Sequence, residues 1–412
     1  MRSRSHAATS TASPEHCFCC GESLPGCRLC PKGKGATAPR AFKLALLFGT
    51  WLCLAGCVSP RGQEAADLLA DIAAGDAPSR LKEATPKPVR VAIRYRRSAG
   101  DTTADLYRSS EHPRGAVVVV GGLTPYGKDD PRLVAFARSL ARVDFLVLVP
   151  DIANTRMLKV SASDAGFVAD GIEELTQRFA SAADRAIGLV AFSYAVGPGL
   201  LAVSQTSAGR HVRFVVAVGG YHDIDAAIGF VTTGSYRSPD GSWRQGKPNE
   251  FGKFVFLRSN AERVADRADR ARLIEIAERR LAKLDAELGD LTAGLGPEGR
   301  AVYELIANRY PDRVAELIAR LPDAIRRELR ALDLKSRDLS AIAGPVLLIH
   351  GEDDAIIPSG ESVGLAAALG PRAELYRIEH FAHIDAGTAG LGDSLRLWNA
   401  VQRVLAERDR PE

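Results

Sequence analysis

Beyond position 57 this chain of 412 residues has no cysteine: all seven fall between Cys17 and Cys57. A disulfide framework, a cysteine-ligated zinc and a thiol nucleophile are therefore excluded from everything downstream. Two C-x-x-C units stand upstream, Cys17 to Cys20 and Cys27 to Cys30, but the spacer between them is short and no strand or helix pattern accompanies them. No metal site is expected there. Charge of one sign is missing too. Residues 1–56 hold seven of the 54 basic and two of the 50 acidic side chains, leaving 47 against 48, a net charge near −1, for the rest. Such a balance offers no footing for nucleic acid. Methionine is absent between Met1 and Met157, and the apolar run Leu44–Leu54 is too short to span a bilayer.

What the chain has is a succession of buried-strand patterns. Apolar, β-rich runs at Val89–Tyr95, Ala104–Tyr107, Ala116–Val120, Phe145–Val149, Ile187–Phe192, Phe214–Val218, Val346–His350 and Leu375–Ile378 alternate with segments of helical period. The runs VVVV and FLVLV lack polar alternation, as strands covered on both faces do. Eight strands with helical connections predict a mostly parallel eight-stranded sheet with helices on both faces, an α/β architecture with catalytic loops at the carboxyl ends of the strands.

The fifth run leads into Ala186–Gly197, AIGLVAFSYAVG, where an apolar strand meets a serine between small residues and then a helix-like segment. This is the pattern of a nucleophile elbow, with Ser193 at the tip and Ala191 and Ala195 where bulk would collide. Farther on, PVLLIH (Pro345–His350) is followed by Gly351-x-x-Asp354-x-x-x-Pro358, a carboxylate just beyond a strand. AELYRI (Ala373–Ile378) then runs into Glu379-His380-Phe381-Ala382-His383. The order Ser, Asp, His over roughly residues 88 to 410 resembles the α/β-hydrolase superfamily.

The resemblance implies a triad of Ser193, Asp354 and His383, in which histidine takes the serine proton and aspartate holds the imidazole. Spacing to Gly351 and Pro358 favours Asp354 over Asp353, and the Ala382-His383 pair, similar to the Gly-His of relatives, favours His383 over His380. The oxyanion amides implied are those of Tyr194 and of Leu123, with Gly122 as the fallback, in the loop Val120-Gly121-Gly122-Leu123-Thr124-Pro125. His350 reads as a structural histidine, and His222-Asp223 as a helix cap or a second polar cluster. No metal or organic cofactor is implied.

Between the sixth and seventh strands lie more than a hundred residues where the minimal fold needs few. A Gly/Ser/Pro-rich loop with Tyr236, Trp243, Phe251 and Phe254 precedes leucines at three- and four-residue spacing from Leu273 onward. The resemblance implies a helical cap whose aromatics wall the pocket.

At the front, Arg40 and Lys43 precede Leu44–Leu54 and then Leu54-Ala55-Gly56-Cys57, a sequence similar to the lipobox of bacterial lipoproteins. The expected organisation is an upstream extension over 1–39, a lipoprotein signal peptide over 40–57 with Cys57 acylated, a linker over 58–87, hydrolase core over 88–222 and 341–410, and the cap over 223–340. The expected protein is a lipid-anchored envelope hydrolase, at the outer membrane or periplasmic face if the cell is Gram-negative. It would act on carboxylic esters or related acyl compounds. The alternative is a catalytically inactive binding or scaffolding module on the same fold.

Overall fold

The computed structural model describes residues 59–97, 100–179, 187–238, 240–379, 381–382, 385–386 and 390–410. Cys57 and the expected signal peptide lie outside these residues. Eight strands form one sheet: β1 (Val89–Arg97), β2 (Gly100–Arg108), β3 (Gly115–Val120), β4 (Phe145–Pro150), β5 (Ile187–Phe192), β6 (Val212–Val218), β9 (Val346–Gly351) and β10 (Ala373–Ile378). Their order is β1-β2-β4-β3-β5-β6-β9-β10, with β2 antiparallel to both neighbours and the remaining pairs parallel. This is the α/β-hydrolase fold, and each of the eight expected apolar runs is a strand in it. Two short hairpins lie elsewhere, β7 (Ser235–Arg237) with β8 (Trp243–Gln245), and β11 (Phe381–Ala382) with β12 (Asp385–Ala386).

The helices are α1 (Pro60–Ala74), α2 (Arg80–Ala84), α3 (Pro131–Arg142), α4 (Ala153–Arg156), α5 (Asp164–Phe179) and α6 (Val196–Gln205). The insertion holds α7 (Ile224–Thr233), α8 (Phe251–Ala261), α9 (Arg267–Ala282), α10 (Pro297–Ala307), α11 (Val314–Ala319) and α12 (Asp323–Leu332). After it come α13 (Gly360–Leu369) and α14 (Leu391–Arg408).

Side chains alternate across each strand, so one run feeds two cores. Val118 and Val120 face α5, α6 and α13, whereas Val117 and Val119 face α1, α3 and α14. The expected linker is therefore corrected. Residues 60–84 form helices whose Ala65, Leu68 and Leu81 belong to the second core. The Gly62 carbonyl accepts from Trp398 Nε1 at 2.7 Å, and Glu64 pairs with the buried Arg408 at 2.6 Å. The apolar face of α1 is a docking face, not a tether's.

The insertion has a third core of its own, built by Leu257, Leu273, Ile276, Val302, Leu305 and Leu329 among others. The leucine period runs on past the end of α9 at Ala282: Leu284 is exposed, and the chain turns at Gly289, whose φ of +54° suits glycine.

Candidate active site

β5 ends at Phe192 in extended backbone (φ −113°, ψ 137°). Ser193 then takes φ +55°, and a 3-10 turn over Ser193–Ala195 leads into α6. A left-handed conformation costs a non-glycine residue about 1–2 kcal/mol. It persists here because the buried strand behind and the buried helix ahead fix both ends of the turn.

The alanines at the elbow's flanks find room in their neighbours. A Cβ on Gly199 would stand 3.3 Å from the Ala191 Cβ and 3.2 Å from Leu189 Cδ2, so the missing side chain at 199 leaves space for the methyl at 191. Two residues earlier, a Cβ on Gly197 would lie 1.9 Å from the Tyr221 hydroxyl. α6 thus sits close upon the sheet at Gly199 and upon Tyr221 at Gly197.

Tyr194 is an anchor. Its buried hydroxyl accepts from the Ser161 amide at 2.6 Å and lies 2.9 Å from both the Ser161 carbonyl and an Asp164 carboxylate oxygen. Burial, with the Asp164 charge beside it, holds the phenol well above its ordinary pKa, so it stays neutral.

The loop after β3 reaches Ser193 through strand register. Val120 pairs with Ala191, which brings Gly121 and Gly122 alongside Phe192 and Ser193. A Cβ on Gly122 would stand 3.2 Å from the Ser193 Cβ and 3.7 Å from its Oγ. Leu123 packs half-buried against the first core. Thr124 donates to Asp130 at 3.0 Å, and Asp130 caps α3 by accepting from the Arg132 amide at 3.0 Å, which closes the loop.

Asp354 is buried beyond the end of β9, while Asp353 is exposed. One Asp354 oxygen accepts from the amides of Ile356 and Ile357 at 2.7 and 3.0 Å, and the other lies 3.4 Å from His350 Nε2. His350 is fully buried, with Nε2 2.9 Å from the Ile357 carbonyl and Nδ1 2.6 Å from the Ser362 hydroxyl. A carbonyl can only accept, so Nε2 donates to Ile357. Ser193 and Asp354 thus stand in loops at the carboxyl ends of β5 and β9, on either side of β6. His383 and its rival His380 lie outside the described residues. The Glu352 amide donates to the Ile378 carbonyl at 2.8 Å, tying the loops after β9 and β10 together.

No family model matches this chain, and no curated protein matches it significantly. Solved structures do. The acylaminoacyl peptidase of Pyrococcus horikoshii is 11% identical at a TM-score of 0.47, over 79% of this chain and 43% of that one. This chain spans less than half of the peptidase's length. A hyperthermophilic esterase of Pyrobaculum calidifontis is 14% identical at 0.43, over 85% and 89% of the two chains. The esterase domain of a Rhodothermus marinus protein is 12% identical at 0.40, over 78% and 98%. The structural neighbours are thus esterases and acylaminoacyl peptidases. The residues themselves carry the functional reading.

The insertion is fastened on both sides of β5. From α8, Ser259 Oγ accepts from the Val160 amide at 2.8 Å, and Arg263, just beyond that helix, donates to the Val160 carbonyl at 2.9 Å. From α12, Glu328 accepts from the Ala162 amide at 2.6 Å. On the other side the Asn249 amide donates to the Ala355 carbonyl at 2.7 Å, one residue from Asp354. Trp243 and Phe254 do not join the expected aromatic wall. Trp243 is exposed, with the Arg237 guanidinium 4.7 Å from its ring centre; Phe254 packs on the insertion's own core, and Tyr236 meets Phe230 edge-on at 5.6 Å.

Asp223 caps α7 through the amides of Asp225 and Ala226 at 3.0 and 3.1 Å, and its other oxygen pairs with Lys335 at 2.7 Å where the insertion returns. Glu361, at the start of α13, accepts from the amides of His222 and Asp223 at 2.9 and 2.7 Å. Burial pushes its carboxyl up to about 7 and pushes His222 down. Nothing in the local sequence around Glu361 shows that a turn 139 residues away comes to rest on it. Among the described residues no group of three or more His, Cys, Asp or Glu converges as a metal would require.

Proposed function

We propose that this chain is a serine hydrolase of carboxylic esters or related acyl compounds, with Ser193, His383 and Asp354 as its triad. The observation that supports it most is the backbone of Ser193. A left-handed serine at the junction of a buried parallel strand and a helix is strained backbone of the kind retained for a nucleophile.

In this reading Ser193 Oγ attacks the carbonyl carbon as His383 takes its proton, and Asp354, oriented by two backbone amides, stabilises the imidazolium. The tetrahedral oxyanion is received by the amides of Tyr194 and of Leu123 or Gly122. The carbon–oxygen bond to the alcohol breaks, the alcohol leaves with the proton from His383, and water then releases the acid from Ser193 by the same steps.

The same reading places the enzyme at the cell envelope through an acylated Cys57. Ser59, whose hydroxyl accepts from the Gly62 amide at 3.1 Å, already caps α1 two residues later, so an anchor at Cys57 would hold the hydrolase close against the bilayer.

Labelling the full chain with a fluorophosphonate probe and mapping the adduct tests the proposal. Attachment at Ser193, lost in Ser193→Ala and slowed by about a thousandfold or more in Asp354→Asn, is the expected result. A folded protein that neither labels nor turns over any ester would overturn it and favour the inactive scaffold.

A further inference from the structure

The second core is not filled. Where α1, α3 and α14 draw apart above the carboxyl halves of β5, β6 and β9, they leave a cavity of about 410 Å³. Its walls are aliphatic and aromatic, with Leu69 and Ile72 from α1, Phe136 from α3, Val401 from α14, and Val216 and Val218 from the sheet. The charged lining residues, Asp130 and Arg132, stand 3.0 Å apart and neutralise each other. A core that leaves such a volume empty forfeits dispersion contacts on every wall. An apolar cavity of this kind takes apolar guests.

Its position says which guest. Gly121, Gly122 and Phe192 all line it. Phe192 is followed directly by Ser193, and Gly122 is the residue against which the Ser193 side chain lies. One glycine without a side chain therefore separates the apolar space from the nucleophile. We propose that this cavity is the acyl-chain site of the hydrolase, holding the tail of an unbranched ester with its carbonyl at Ser193. A methylene occupies about the volume of one liquid water, roughly 30 Å³. The cavity therefore admits an acyl chain on the order of ten carbons, and the preferred substrates are medium-chain esters. The inference rests on the hydrolase reading and adds to it the chain length, set beneath the oxyanion loop and not by the insertion.

The experiment is kcat/KM of the full chain on p-nitrophenyl acetate, butyrate, octanoate, decanoate and palmitate. It is paired with two variants that fill half-buried wall positions on different helices, Ala135→Phe and Val401→Phe, each checked for folding by its thermal transition. A buried methylene is worth about fourfold in binding. The expected result is a rise of more than tenfold from butyrate to octanoate or decanoate and a fall at palmitate. In at least one folded variant the decanoate-to-acetate ratio should drop by tenfold or more. Hydrolysis of acetate at a rate that the tail length and both variants leave unchanged would overturn the cavity assignment and leave the hydrolase standing. No turnover of any ester, with no labelling of Ser193, would overturn both.

Discussion

Gly122 and Ser193 stand so close that a single methyl placed on the first would press 3.2 Å against the Cβ of the second. The strand register that pairs Val120 with Ala191 creates the approach, and the absence of a side chain at 122 permits it. A contact of 3.2 Å is tighter than carbon atoms accept, so the loop after β3 would have to retreat by a few tenths of an ångström. Misplacement of an oxyanion donor on that scale costs rate far more than stability. Gly122→Ala should lower kcat/KM on p-nitrophenyl butyrate by about ten- to a hundredfold while the melting temperature stays nearly unchanged. An equal loss in both measurements would mean that Gly122 serves packing alone.

The strain at Ser193 makes a separate prediction. Glycine adopts φ +55° without the Cβ clash that serine and alanine both meet. Ser193→Gly should therefore stabilise the protein by about 1 kcal/mol in urea denaturation, and Ser193→Ala should not. Both should be inactive. Two variants of equal stability would show that the turn stores no strain.

Much of this site is legible in the sequence because local pattern decides it. Strands buried on both faces have to be apolar throughout, so VVVV and FLVLV mark the sheet's centre. A serine ending such a run marks the elbow. The spacing Gly351-x-x-Asp354 picks the buried carboxylate over the exposed Asp353. What stays hidden depends on partners far along the chain. EAADLLADIAAG shows an amphipathic helix but not that its face meets Trp398, 336 residues beyond Gly62. The pattern asks for a small residue at 191 but does not show that Gly199 is what the Ala191 methyl packs against. Trp243 looks like a pocket wall, yet it is exposed and stacks on Arg237, its partner across the β7–β8 hairpin. The cavity belongs to no segment, since it is the gap between three helices.

Glu361 gives the molecule a pH dependence of calculable sign. Its carboxyl is held near 7 in the folded protein, chiefly by burial, with two amide donors opposing, against an ordinary value of 4.5. Folding therefore favours the protonated form. Between about 4.5 and 7 the unfolded chain has already released a proton that the native chain keeps, so stability falls as pH rises through that window. Glu361→Gln keeps an oxygen for the His222 and Asp223 amides and removes the charge. Its melting temperature should exceed that of the wild type by about 2 °C or more above the window, with the two converging below it. A constant offset at every pH would place the titration elsewhere.

Asp71 tests whether α1 is part of the folded domain. Its carboxylate is buried between α1, α2 and α3, accepting from Lys82 at 2.7 Å, from Ser139 at 2.6 Å and from Ser79. Burial alone would raise its pKa, but these donors outweigh it and hold the group below the ordinary 3.8. The stabilisation is present above that value and is lost as pH falls through the native pKa. Asp71→Ala would remove the buried acceptor that the Lys82 ammonium and the Ser79 and Ser139 hydroxyls share, at a cost of about 3 kcal/mol. It should also loosen the α1 side of the cavity. The expected outcome is a lower urea midpoint for Asp71→Ala at neutral pH, with the gap to the wild type narrowing as the medium is acidified below the carboxylate range. Were residues 60–84 a tether, the substitution would change stability by less than about 0.5 kcal/mol and leave the ester profile untouched. Urea denaturation at the two pH values separates these readings, because only a carboxylate that holds three elements together can carry both the size and the acid sensitivity of the loss.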